Sequence, residues 1–188
     1  RDIASEVNAI AAAVNPFDGI IICRTSVCGP IFTSDTANDK PHDPAKITYD
    51  IFKPLDGRLD ANVILQIKQG PMNFQVREPP SPLFGALAET NQAIELQLTQ
   101  EHLGQQRHLC FLVPMWKQTL EFNMRAAIGG RGTGNKPTPV KELITGKTFQ
   151  RPLGGVIAIL NARRVPDWLG NDLEMANLYA FGRLAWDP

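Results

Sequence analysis

Three charged side chains stand where apolar runs of this chain stop. Arg24 follows Ile20–Cys23, Lys68 closes Val63-Ile64-Leu65-Gln66-Ile67, and Glu101 comes just after Ala93–Thr99. Asn73 sits in the polar stretch beyond Lys68. A carboxylate can take up a proton or orient a water. Lysine and arginine can receive an anionic group through charge-assisted hydrogen bonds. An amide has nearly the shape of a carboxylate but does not accept a proton near neutral pH. Each residue also has a plainer role open to it: Glu101 as a surface-loop glutamate, Arg24 and Lys68 as strand-end cations that reach out to solvent.

Strands must bring these groups together. Ile20–Cys23, Val63–Lys68, Ala93–Thr99, His108–Pro114 and Gly154–Leu160 read as buried strands, apolar enough for a parallel sheet covered on both faces. Helix patterns fall between them. Ile3, Val7, Ile10 and Val14 form one apolar face that stops before Asn15-Pro16. Asp43-Pro44 supplies an N-cap and a first-turn proline for a helix to about Phe52. Trp116–Met124, Val140–Ile144 and Asp172–Trp186 are the other helical candidates, with Trp116 and Trp186 expected in the core. Thr25–His42, the Asn73 segment and the glycine-rich Gly129–Pro139 read as loops. Repeated strand–loop–helix order implies a parallel sheet with outer helices. Polar residues at the carboxyl ends of such strands are how α/β barrels build sites. Lys68 and Glu101 should therefore share one rim, with Asn73 turned toward the same hollow.

Composition narrows the class. The chain has 188 residues and a formal net charge of zero. That charge argues against binding driven by attraction to nucleic acid or to a membrane surface. No apolar run approaches the ~20 residues of a membrane span. Cys23, Cys28 and Cys110 form neither a disulfide framework nor a zinc knuckle, and Cys23 and Cys110 read as buried thiols. Gly129–Gly134 lacks the lysine-Ser/Thr ending of a phosphate loop. No internal repeat or linker divides residues 1–188, and no metal site or cofactor is expected.

Longer motifs point further. Gly70-Pro71-Met72-Asn73-Phe74-Gln75-Val76-Arg77-Glu78-Pro79, the Gln97–Gly104 segment and Tyr179-Ala180-Phe181-Gly182-Arg183-Leu184-Ala185-Trp186-Asp187-Pro188 resemble the α-glucuronidases of glycoside hydrolase family 67. The likeness covers most of the chain. It implies a (β/α)₈ TIM-barrel fold, which takes roughly 250 residues when complete, so that residues 1–188 would form the C-terminal half of a catalytic domain. It implies hydrolysis of the α-1,2 bond between 4-O-methylglucuronic acid and xylooligosaccharides, with inversion and without a cofactor. The expected partners are those oligosaccharides, with no nucleic acid and no membrane; a homodimer would form through parts of the parent protein. The wording of Thr90–Gln106 is closer to secreted fungal members.

The resemblance also assigns roles. Glu101 would help position or deprotonate the catalytic water, and Lys68 and Arg24 would bind the uronic acid. Arg77-Glu78 match the motif and read as an ion pair that fixes the loop. Asn73 departs from the pattern: the family has an aspartate in that slot as the partner of Glu101. Three explanations stay open: an engineered trap, a natural sequence of weak or altered activity, or a non-catalytic carbohydrate-binding or structural relative. The segment after Arg24, His102 in place of a tyrosine, and Ala162-Arg163-Arg164 in place of a glycine-containing turn also depart. The family's general acid is a glutamate on a strand preceding Ile20–Cys23. Residues before Ile20 offer only Asp2, Glu6 and Asp18, so the acid is expected upstream of Arg1.

Overall fold

The computed structural model describes residues 2–25, 44–70, 79–98, 111–125, 137–159 and 173–187. Four strands form a parallel sheet in the order β1 (Ile21–Arg24), β2 (Val63–Lys68), β3 (Asn91–Gln97) and β6 (Gly154–Ile159). Ile21 pairs with Val63, Ile64 with Asn91, and Gln92 with Gly154, so all four strands start at one level. The expected α/β class with a parallel sheet is therefore present. A short antiparallel pair, β4 (Asn123–Arg125) with β5 (Pro137–Pro139), lies apart from it.

Alternation along β2 and β3 sorts the two faces. Leu65, Ile67, Ile94 and Leu96 point into the hydrophobic core. That core is completed by Phe52 and Leu55, by Leu83, Phe84 and Leu87, and by residues of the helices. A fully buried leucine or isoleucine is worth about 1.5–3 kcal/mol, so this face carries the sheet's stability. The opposite face of the same strands carries Gln66, Lys68, Glu95 and Gln97. The expectation of wholly apolar strands thus needs correction. β2 and β3 are buried on both faces, yet one face is polar, and its side chains are satisfied by hydrogen bonds rather than by packing alone.

Helix α1 (Ile3–Val14) runs as expected, but its buried line is centred on Ala4 and Ala11, while Ile10 is 57% exposed. Small residues let the helix lie close to the sheet, so its larger apolar side chains fall to the flanks. Helix α2 (Pro44–Phe52) begins on its proline, and β2 has the expected bounds. His108–Pro114 is not a strand over its described part. Val113–Glu121 forms helix α3, with Pro114 in its first turn, where the missing N–H costs nothing. Gly129–Pro139 is not all loop either, because Pro137–Pro139 pairs with Asn123–Arg125. Helix α4 (Val140–Ile144) is as expected. Helix α5 (Leu173–Trp186) turns Asn177, Leu178, Phe181 and Leu184 inward. Trp186, expected in the core, is 86% exposed. Trp116 is fully buried and meets the Phe181 ring edge-on, at 6.0 Å between centroids.

Side-chain amides pin the amino ends of the strands. Asn62 Nδ2 donates to the carbonyls of Ala11 and Gly19, joining the end of α1 and the Asp18-Gly19 turn to the start of β2. Asn91 Nδ2 donates to Ala61 O and Val63 O, while its Oδ1 accepts from Leu153 N. One asparagine thus ties the start of β3 to those of β2 and β6. Asp56 accepts from Ala88 N and Glu89 N and fixes the approach to β3. With this end fixed, the carboxyl ends are free to carry other chemistry.

Candidate functional site

The polar face is built by register. Arg24 lies opposite Gln66, and Lys68 lies opposite Glu95. In a parallel ladder, register partners project to the same side. Arg24, Gln66, Lys68, Glu95 and Gln97 therefore share one face near the carboxyl ends of three adjacent strands. Thr25 locks that end: its N–H and its hydroxyl both donate to Gln66 O, at 2.9 and 3.1 Å. Gln69 N–H donates to Glu95 O at 2.9 Å and extends the ladder past β2.

At the centre stands Glu95, whose side chain has 0% exposure. Arg24 Nε donates to its Oε2 and Arg24 Nη2 to its Oε1, both at 2.6 Å. Gln66 Nε2 donates to the same Oε2 at 2.5 Å. This is a two-bond fork between guanidinium and carboxylate, the strongest form of such a pair. The Arg24 side chain is 40% exposed, so the pair reaches from the sealed interior to the surface of the face. Lys68 is half-buried on the adjacent strand. Among the described residues, two cations, one carboxylate and two amides are thus gathered on this face.

Of the expected site residues, Arg24 and Lys68 stand on this face, on neighbouring strands. Asn73 and Glu101 lie outside the described residues. So do the segments 26–43, 71–78, 99–110 and 160–172 that follow β1, β2, β3 and β6, with His102, Arg77-Glu78 and Trp168 among them. The expected parallel adjacency of β2 and β3 holds. Sequence reasoning missed Glu95 and Gln66. The signal was there: a glutamate between Ile94 and Leu96 in a buried strand must face away from the core those residues enter. Cys23 packs on the core side of β1, where burial pushes its thiol pKa up. Among the described residues no group of three His, Cys, Asp or Glu could hold a metal ion, and no helix is long and apolar enough to cross a membrane.

Comparison with known proteins decides the family. The model of the "Glycosyl hydrolase family 67 middle domain" matches residues 1–168. The chain belongs to glycosyl hydrolase family 67. It is 48% identical, over its whole length, to a "Probable alpha-glucuronidase A" of Neosartorya fischeri. Proteins of the same name from Aspergillus fumigatus and Aspergillus niger are 47% and 45% identical, again over the whole chain. The chain spans 21% of the length of these relatives. The family 67 resemblance carried by the 70–79, 97–104 and 179–188 motifs is thereby borne out.

Proposed function

We propose that this family 67 chain is the part of a longer α-glucuronidase that receives the uronic acid. The parallel sheet would be one arc of a (β/α)₈ barrel, with its polar face turned to the barrel interior. The observation that carries this is the gathering of Arg24, Gln66, Lys68 and Glu95 on one face at the carboxyl ends of adjacent parallel strands, where barrels of this type hold their sites. The substrate would be a xylooligosaccharide carrying α-1,2-linked 4-O-methylglucuronic acid. Its carboxylate would sit against Lys68 and Arg24.

The chemistry follows from the two-carboxyl logic of glycoside hydrolysis. One acid protonates the leaving oxygen, and a carboxylate on the opposite side activates water, giving inversion. Glu101 would position or deprotonate that water. Asn73, standing where the family has an aspartate, can hydrogen-bond the water but cannot take its proton. The leaving oxygen would be protonated by a group outside residues 1–188. Hydrolysis by this sequence should therefore be slow while binding of the uronic acid persists.

The test uses the longer polypeptide and aldouronic acids. Asn73→Asp should raise kcat by about 10²–10⁴, the usual worth of a general base, and leave KM nearly unchanged. Lys68→Met should weaken binding of glucuronic acid in either background. If Asn73→Asp brings no gain and glucuronic acid does not bind, the enzyme assignment is wrong. Asn73 itself favours one second reading, a non-catalytic carbohydrate-binding relative. It would show as tight glucuronic acid binding with no turnover even after Asn73→Asp.

A further inference from the structure

We propose that Thr25 is a positioning residue for uronate binding, acting through the backbone of β1 on Arg24. The inference rests on the α-glucuronidase assignment above and names a further residue on which the same site depends. Thr25 is 2% exposed although it stands one residue beyond β1. Side chains alternate along a strand, so Thr25 projects away from the face that carries Arg24 and does not itself meet the ligand. A buried hydroxyl is tolerated when it is hydrogen-bonded. This one donates to Gln66 O, the carbonyl that the Thr25 N–H already engages. A carbonyl can accept twice, and here both donors come from one residue.

The contacts close into a ring around Arg24. Thr25 holds the main-chain oxygen of Gln66, and the Gln66 side-chain amide donates to Glu95 Oε2. Glu95 takes two bonds from the Arg24 guanidinium, and Arg24 joins Thr25 through one peptide bond. Gln66 belongs to both halves of the ring, by its backbone on one side and its side chain on the other. The strand order β1-β2-β3 obliges Arg24 to reach across β2, a span of two strand spacings, or about 9.5 Å. Its two 2.6 Å bonds to Glu95 therefore depend on how closely the end of β1 is held to β2.

That end is where holding matters. The Thr25 N–H bond lies at the carboxyl end of the β1–β2 ladder, and the ends of elements open more readily than their middles. The hydroxyl adds a second bond to the same oxygen and keeps the end closed. Arg24 stays 40% exposed. With its backbone and its guanidinium both held, it meets a carboxylate without first ordering a long flexible side chain, a cost that preorganisation removes.

Calorimetric titration of the longer polypeptide with glucuronic acid reads the effect. Thr25→Val keeps the shape and removes the hydroxyl. It should lower affinity about fivefold, the usual net worth of one neutral hydrogen bond. Thr25→Ser keeps the hydroxyl and removes a buried methyl, and it should retain most of the affinity. Neither variant changes charge, and a purely structural role gives no reason for serine to bind better than valine. In an Arg24→Ala background, where Lys68 still offers a cation, Thr25→Val should have no further effect. Urea midpoints taken alongside establish that each variant is folded. If Thr25→Val does not fold, Thr25→Ala set against Thr25→Ser carries the same contrast, because that pair also differs by the hydroxyl. Equal affinities with and without the hydroxyl, an equal loss in valine and serine variants, or an undiminished effect in the absence of Arg24 overturns the inference. Each leaves the enzyme assignment intact, because the unaltered protein still binds glucuronic acid. No binding by the unaltered protein would overturn both.

Discussion

Single residues on this sheet divide by face, and the division decides what each can do. Glu95 and Cys23 both lie within strands. Glu95 faces the polar side and is bridged by Arg24 and Gln66, whereas Cys23 faces the core. Burial disfavours the thiolate, so the Cys23 pKa is raised. Because the thiolate is the nucleophile, Cys23 should react with iodoacetamide at pH 8 more slowly than a free exposed thiol. Mass spectrometry of a chain carrying serine at positions 28 and 110 checks this, and alkylation at the rate of a model thiol would contradict it. The sign for stability follows from the same shift. A proton held more tightly in the fold gives a contribution that is complete below the unfolded thiol's value of about 8.5 and is lost as pH rises through the folded value.

At the scale of elements, the amino ends of the strands are fixed by close backbone approach as well as by asparagines. Gly154 opens β6 beside α4 and β3. A Cβ there would stand 2.1 Å from Ile144 O and 2.7 Å from Gln92 O. Both neighbours are backbone, so neither yields easily. Gly154→Ala should destabilise the chain by about 1–3 kcal/mol, as overpacking does, and should loosen the pairing of β6 with β3. Urea denaturation followed by circular dichroism reads the first effect and amide exchange of the Gln92–Gln97 ladder the second; unchanged midpoints would contradict the prediction. Helix α3 shows a different dependence. Leu112 N–H, at its start, donates to the buried Asn177 Oδ1 of α5 at 2.9 Å, and Trp116 packs on Phe181. That helix therefore starts where α5 provides an acceptor, far along the chain.

For the molecule as a whole, the sheet is well covered at its centre and less so at its sides. β2 and β3 are buried, while Ile22 on β1 is 53% exposed and Phe17, Tyr179 and Trp186 present large apolar surface. Among the described residues β1 pairs only with β2, and β6 only with β3. A strand with an open edge and an apolar side chain is a template for further pairing. In the barrel proposed above, strands from the rest of the longer protein would cover both sides. The isolated chain should therefore bind the dye ANS and self-associate in analytical ultracentrifugation, and the longer polypeptide should do neither to the same degree. A monomeric isolated chain that does not bind the dye would count against the barrel.

Much of this was legible from residue order alone. α1, β2 and α4 had their bounds written in periodicity, prolines and turn residues, because those signals act over a few neighbouring positions. The family was legible too, since the 70–79, 97–104 and 179–188 motifs are long enough to be specific. Arg24 and Lys68 could be named as candidates because strand ends follow from the apolar runs before them. What residue order did not decide was which partners those strands would take and which way their polar residues would face. The Arg24–Glu95 fork joins positions 71 residues apart and exists only because β1, β2 and β3 lie side by side in one register. The same holds for His108–Pro114, whose apolar composition suits a strand or a helix; contact with α5 through Leu112 settles its described end as the start of α3. Local sequence sets what each segment can form, and long-range pairing selects among those forms, because only the assembled sheet brings a carboxylate, a guanidinium and an amide within bonding distance.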